Sequence, residues 1–132
     1  MKLLDSSIVI GILRGDKKLK DVVKELSKEE VATTVLTYFE LFSRVYHRGL
    51  VDEEKILRNL LKLMNILNLD EISADKAAEI MGRLLKVGKP VNIIDVLISG
   101  IALANGVEEI ITKDIDFKTI EEVYGYPKIR II

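Results

Sequence analysis

An α/β fold in three layers, with a central parallel sheet and helices on both of its faces, is predicted by two features of the sequence. Short aliphatic runs alternate along the chain with longer segments of helical period, and that alternation folds as strands joined by crossover helices. The 132 residues amount to one domain's worth of chain, and at 48% hydrophobic but 5% aromatic its core must be aliphatic.

Lys2 to Leu4 reads as the first strand, and Asp5-Ser6-Ser7 then offers cap-type side chains to a short helix, Ile8 to Leu13. Arg14-Gly15-Asp16 punctuates the chain, and Asp16 caps a second helix to about Leu26. Glu30 to Thr33 predicts a strand. Thr34 caps a long helix to His47 that Gly49 stops. Asp52 opens a helix whose Ile56, Leu57, Leu60, Leu61 and Met64 share one face. Asn68 to Ile72 is expected to be extended, with Ser73 capping the next helix and Gly88 and Pro90 ending it. Asn92 begins a helix through Ala104, closed by Gly106. Glu109 to Thr112 predicts a strand, Thr119 to Tyr124 a short helix, and Lys128 to Ile131 the last strand.

Composition excludes several functions. Lys plus Arg number 20 against 21 Asp plus Glu, a net charge of -1, so sheer positive charge cannot grip nucleic acid or membrane. There is no Cys, which removes disulfides, thiolate metal sites and cysteine nucleophiles. The single His47 cannot build a multi-histidine site. The most apolar window, Val91 to Ala104, is interrupted by Asn92, Asp95, Ser99 and Gly100 and is too short for a bilayer. The expectation is a soluble, cytoplasmic protein of one domain over residues 1–132, without linkers or repeats.

In α/β folds ligands sit at the carboxyl ends of the strands, where strand order reverses. Asp5 follows the first strand, Asp114 and Asp116 follow the strand ending at Thr112, Asp95 lies in the first turn of an apolar helix, and Glu40 lies mid-helix. Each alone has an ordinary use. Asp5 suits a cap, Asp95 a helix N-terminus, Asp114 and Asp116 a turn, and Glu40 a solvated surface. Together they suggest one crevice. Clustered carboxylates repel unless a hard divalent cation joins them, and Mg²⁺ or Mn²⁺ prefers oxygen ligands. Such ions serve phosphodiester hydrolysis.

Four stretches carry a family resemblance: Leu3-Leu4-Asp5-Ser6-Ser7-Ile8, Thr37-Tyr38-Phe39-Glu40-Leu41, Asp95-Val96-Leu97-Ile98-Ser99, and Ile111-Thr112-Lys113-Asp114-Ile115-Asp116-Phe117. In this order and spacing, over nearly the whole length, the chain resembles PIN-domain ribonucleases, in particular the VapC toxins of VapB–VapC toxin–antitoxin pairs. The resemblance implies a metal-dependent endoribonuclease with RNA as substrate and a VapB-like antitoxin as partner. It implies that Asp5, Glu40, Asp95 and Asp114 hold Mg²⁺ or Mn²⁺, with Ser7 or Thr112 as a polar auxiliary. Two departures stand out. Ser6-Ser7 replaces the commoner Thr-Asn, and the last motif is one residue short, which leaves Asp116 a second candidate for the fourth acid.

Arg14, Lys17, Lys18 and Lys113 lie near these motifs, while Arg44 and His47 fall on the helix face of Glu40. Arg14, Arg44 and Lys113 are the candidates for contacting substrate phosphates; the alternative is an ordinary solvated face. Residues 35 to 46 carry more apolar surface than one buried face needs, which predicts a two-fold homodimer, as VapC-like proteins often form. Two other readings of the acids stand beside the nuclease. A receiver domain would want paired acids after the first strand, where only Asp5 occurs, and a catalytically silent PIN-like module would only bind partners.

Overall fold

The structure is a computed structural model describing residues 1–132. Five strands form one sheet: β1 (Lys2–Leu4), β2 (Val31–Thr34), β3 (Asn65–Leu67), β4 (Glu109–Thr112) and β5 (Lys128–Ile131). All pairs are parallel, in the order β3-β2-β1-β4-β5. The chain thus builds outward from β1 on one side, then crosses over to add β4 and β5 on the other. The strand order reverses between β1 and β4, so the crevice beyond their carboxyl ends is the switch point of the sheet.

Seven helices cover the sheet: α1 (Ser6–Leu13), α2 (Lys20–Leu26), α3 (Val35–Arg48), α4 (Val51–Leu61), α5 (Glu71–Lys86), α6 (Ile93–Ala104) and α7 (Asp116–Tyr124), with a 3-10 turn at Lys17–Leu19 leading into α2. Strand alternation assigns the two cores. Leu4 and Ile111 face one way and pack with Ile8, Leu41, Phe42 and Leu57 of α1, α3 and α4. Leu3 and Ile110 face the other way, against Ile80, Ile98 and Phe117 of α5, α6 and α7. The three predicted layers are therefore present.

Local signals placed most boundaries. The Thr34 hydroxyl accepts the Thr37 N–H at 3.2 Å and starts α3, and Gly49 ends it in the left-handed region at φ 65°. Four expectations are corrected. The extended segment lies at Asn65–Leu67 rather than Asn68 to Ile72, because it pairs with β2 in the register Thr33↔Ile66. Asp70, not Ser73, caps α5: its carboxylate accepts the Ser73 N–H at 2.8 Å. The α4 helix starts at Val51, and its Ile56 is 58% exposed, off the buried face set by Leu57 and Leu61. Finally, α7 starts at Asp116, ahead of the expected Thr119.

Candidate metal centre

Asp5 leaves β1 at its carboxyl end and is held from three directions. Its Oδ1 accepts the Ser7 hydroxyl at 2.6 Å and the Ile8 N–H at 3.3 Å, and its Oδ2 accepts the Thr112 hydroxyl at 2.5 Å from the neighbouring β4. The cap role foreseen for Asp5 is real, and the same bonds aim its carboxylate into the switch-point crevice. Burial raises its pKa above the usual carboxylate range, the three donors pull it back, and the charge of Asp114 raises it again.

The loop after β4 is wound by its own side chains. The Lys113 N–H donates to Ser7 Oγ at 3.0 Å, the Asp114 N–H to Thr112 Oγ1 at 2.9 Å, and the Asp116 N–H to Asp114 Oδ1 at 2.9 Å. Ser7 and Thr112 thus orient the acids on both sides of the crevice. This winding places Asp114 and Asp116 together with Asp95 from the first turn of α6. One carboxylate oxygen from each of these three lies within 4.8 Å of the others.

Asp95 bears most of the electrostatic cost. It is 9% exposed, and its Oδ2 is buried without a hydrogen-bond partner. Burial pushes its pKa up to about 8, helped by contact with Asp114 and by the charges of Asp114, Asp5 and Asp116. Two unit charges ~5 Å apart repel by about 3 kcal/mol at an effective dielectric near 20, so the crevice favours a proton or a cation. Glu40 stands apart from the close trio. It is an exposed residue on α3, yet its pKa is raised by partial burial and then by the charge of Asp5, so it lies within electrostatic reach of Asp5.

The donors fit a hard divalent cation. All are carboxylates, and Asp95 Oδ2 is a buried oxygen lacking any other partner. Spacing in the sequence left Asp114 and Asp116 as alternatives, whereas the fold brings both to Asp95.

The basic candidates separate. Lys113 is ion-paired with Asp16 and Arg44 with Glu53 of α4, partners that the sequence reading did not anticipate. Arg14 is exposed at the end of α1, and His47 is exposed on α3. Arg48 was not singled out, although its spacing of one turn from Arg44 was the available signal; it lines a cleft with Arg14 and Arg44. On the Leu4 side, an apolar groove of about 400 Å³ is walled by Ile12, Val23, Leu26, Leu60 and Leu63, with Leu63 80% exposed. No helix is long and apolar enough to cross a membrane.

Comparison with known proteins agrees with this anatomy. The sequence profile of the PIN domain matches residues 2–123. Curated protein sequences give no match. Among solved structures, VapBC2 from Rickettsia felis bound to a DNA fragment from its promoter superposes with a TM-score of 0.85 at 18% identity, covering 99% of this chain and 98% of that one. VapBC-5 from Mycobacterium tuberculosis superposes at 0.69 with 29% identity, covering 99% and 96%. FitAcB from Neisseria gonorrhoeae superposes at 0.76 with 24% identity, covering 98% and 96%. From Lys2 to Val123, with acids from separate elements meeting at the switch point of a parallel sheet, the chain belongs to the PIN-domain family.

Proposed function

We propose that the chain, as one PIN domain over residues 1–132, is a Mg²⁺- or Mn²⁺-dependent endoribonuclease and the toxin of a VapBC-type pair. The observation that carries this reading is Asp95 Oδ2, a buried unpartnered oxygen within a knot of carboxylates at the switch point. An acid used only as a helix N-terminal charge needs neither burial nor three acidic neighbours.

Asp95, Asp114, Asp116 and Asp5 would hold the cation, with Ser7 and Thr112 fixing the direction of Asp5. When bound, it supplies Lewis-acid polarisation of a phosphate oxygen and acidifies a water at neutral pH. Glu40, exposed and within electrostatic reach of Asp5, would be the acid free to take or give a proton there. Burial of Asp5 and Asp95 keeps bulk water from screening the site.

Proteins of the same fold occur in complexes with antitoxins, and the VapC20 protein of Mycobacterium tuberculosis is described as a Sarcin-Ricin loop cleaving toxin, which supports an RNA substrate and an antitoxin partner. The groove walled by Ile12, Val23, Leu26 and Leu63 suits the apolar face of an antitoxin helix.

Labelled single-stranded RNA tests the reading. Cleavage is expected with Mn²⁺ and not with EDTA, and Asp5→Asn, Glu40→Gln and Asp95→Asn should each lose at least ~100-fold in rate while remaining folded. Full cleavage by folded Asp95→Asn would remove the shared-metal role. Binding of RNA or antitoxin with no cleavage under any divalent ion would make the chain a silent binding module.

A further inference from the structure

We propose that a cleft between α1, α3 and α4, lined by Arg14, Arg44 and Arg48, binds a backbone phosphate of the RNA strand next to the one that is cut. This rests on the nuclease reading for its substrate, but it concerns a separate surface with its own readout. The cleft encloses about 400 Å³, and its apolar walls include Leu13 and Leu50. Glu53 is the one acid in the lining, and it is already paired with Arg44. Arg14 and Arg48 therefore leave two positive charges without acidic partners in a concave site. Arg44 Nε is buried and makes no hydrogen bond, although its terminal nitrogen is held by Glu53. Guanidinium groups converging on a hollow repel one another unless an anion joins them, and their planar forks match phosphate oxygens.

The position of the cleft identifies its ligand. Arg14 also lines a neighbouring cleft of about 460 Å³ with Ser7, Gly11, Lys113 and Asp16, the last two ion-paired with each other, and Ser7 Oγ donates to Asp5. Arg14 thus borders both clefts, and Ser7, which orients Asp5, borders the second, so the arginines and the acids lie toward opposite ends of α1. Ser7 and Arg14 lie seven residues apart, about 10 Å along a helix axis. That offset suits a phosphate of an adjacent nucleotide of the same strand rather than the one at the carboxylates. The chain as a whole carries a net charge of -1, so a local arginine cleft is the way for it to hold a polyanion beside an acidic crevice.

The test is fluorescence anisotropy with a labelled single-stranded RNA oligonucleotide of twelve residues, in Ca²⁺ to slow cleavage, over a range of salt. Arg14→Ala/Arg48→Ala is compared with Lys17→Ala/Lys18→Ala, which removes the same charge outside the arginine cleft. The arginine variant is expected to weaken binding about tenfold and to reduce the salt slope by about 1.4, two single-strand contacts at ~0.7 each. The lysine variant should change both far less, and Arg14→Lys/Arg48→Lys should recover most of the slope but only part of the affinity. Equal losses in the arginine and lysine variants, no loss in either, or no binding by the wild type would overturn the proposal. So would arginine-dependent binding of hexaglutamate with RNA binding unaffected, which would make the cleft a carboxylate site for a protein partner. Mn²⁺-dependent cleavage of a dinucleotide by the wild type tests the nuclease reading separately. If the wild type cuts neither dinucleotide nor longer RNA while arginine-dependent RNA binding holds, the nuclease reading fails and the cleft stands.

Discussion

Asp95 is the residue whose chemistry is most exposed to test, because its pKa is about 8 in the folded chain against 3.8 for an ordinary Asp. The folded value is raised, so the metal-free protein binds a proton there that the unfolded chain has already lost. Its stability is therefore greatest at low pH with respect to this group and falls as pH rises from about 4 through about 8. Asn carries no charge to bury. In EDTA at neutral pH, Asp95→Asn should be more stable by about 1–2 kcal/mol, since protonation and partial solvation already relieve part of the repulsion, and its melting temperature should vary less with pH. Mn²⁺ should stabilise the wild type by about 1.4 kcal/mol per tenfold excess over its dissociation constant and move the variant much less. Scanning calorimetry at several pH values, with EDTA and with Mn²⁺, checks all three; a variant that melts lower and responds equally to metal would return Asp95 to the role of a helix N-terminal charge. The acids themselves were legible in the sequence, because carboxylates after strands and inside an apolar helix have few other uses. Their grouping was not. Asp114 and Asp116 both reach Asp95 through the hydrogen bonds of Thr112 and Asp114 to following N–H groups, and Lys113 meets Asp16 across the fold. Neither is visible as a spacing.

Helix packing places Asp95, so the contact between α5 and α6 is where stability and site geometry meet. A Cβ on Gly100 would stand 2.6 Å from both Ala77 Cβ and the Ser73 carbonyl oxygen of α5. The two helices must separate to admit it. Gly100→Ala is expected to destabilise by about 1–3 kcal/mol through overpacking, more than the gain of up to ~1 kcal/mol from helix propensity. Gly82 lies in α5 with nothing within 4 Å of its would-be Cβ, so Gly82→Ala should stabilise by roughly 0.5–1 kcal/mol. Opposite signs for the same substitution in two touching helices, measured by urea denaturation, identify close approach rather than propensity as the cause; a stabilised Gly100→Ala would contradict it. The elements were legible where a side chain closes its own helix, as Thr34 does for α3 and Asn92 for α6. They were less legible where the partner decides. The β3 strand is a three-residue edge strand with Asn65 and Ile66 exposed, so it lacks the apolar alternation that marks a strand, and its position follows from pairing with β2. Asp70 and Ser73 are both good caps, and only the bond from the Ser73 N–H to the Asp70 carboxylate shows which residue is outside α5.

On the scale of the whole molecule, the apolar surface left uncovered bears on how many copies act together. The α3 helix carries less free surface than its sequence suggested: Leu41, Phe42 and Val45 are buried, and Tyr46 receives a hydrogen bond from Arg58 at 2.8 Å. Phe39 remains 70% exposed, and Tyr46, two turns on, remains 64% exposed on the same face. Ile93 and Ile115, each near one of the acids in sequence, are 62% and 73% exposed. A two-fold axis presents the same patch from both copies, so burying Phe39 once in each doubles the gain, at about 25 cal/mol for every Å² of apolar surface removed from water. The expected state at micromolar concentration is a dimer, with a light-scattering mass twice 14.9 kDa. Phe39→Asp should return it to the single-chain mass with little loss of fold, because this side chain contributes almost nothing to either core. Wild type at 14.9 kDa would remove the dimer. Phe39 immediately precedes Glu40, so the same variant has a second use. RNA cleavage by the single-chain form reports whether one acidic crevice suffices, whereas its loss, with an unchanged Mn²⁺ response in calorimetry, would place the need for the second copy in substrate binding rather than in the metal centre.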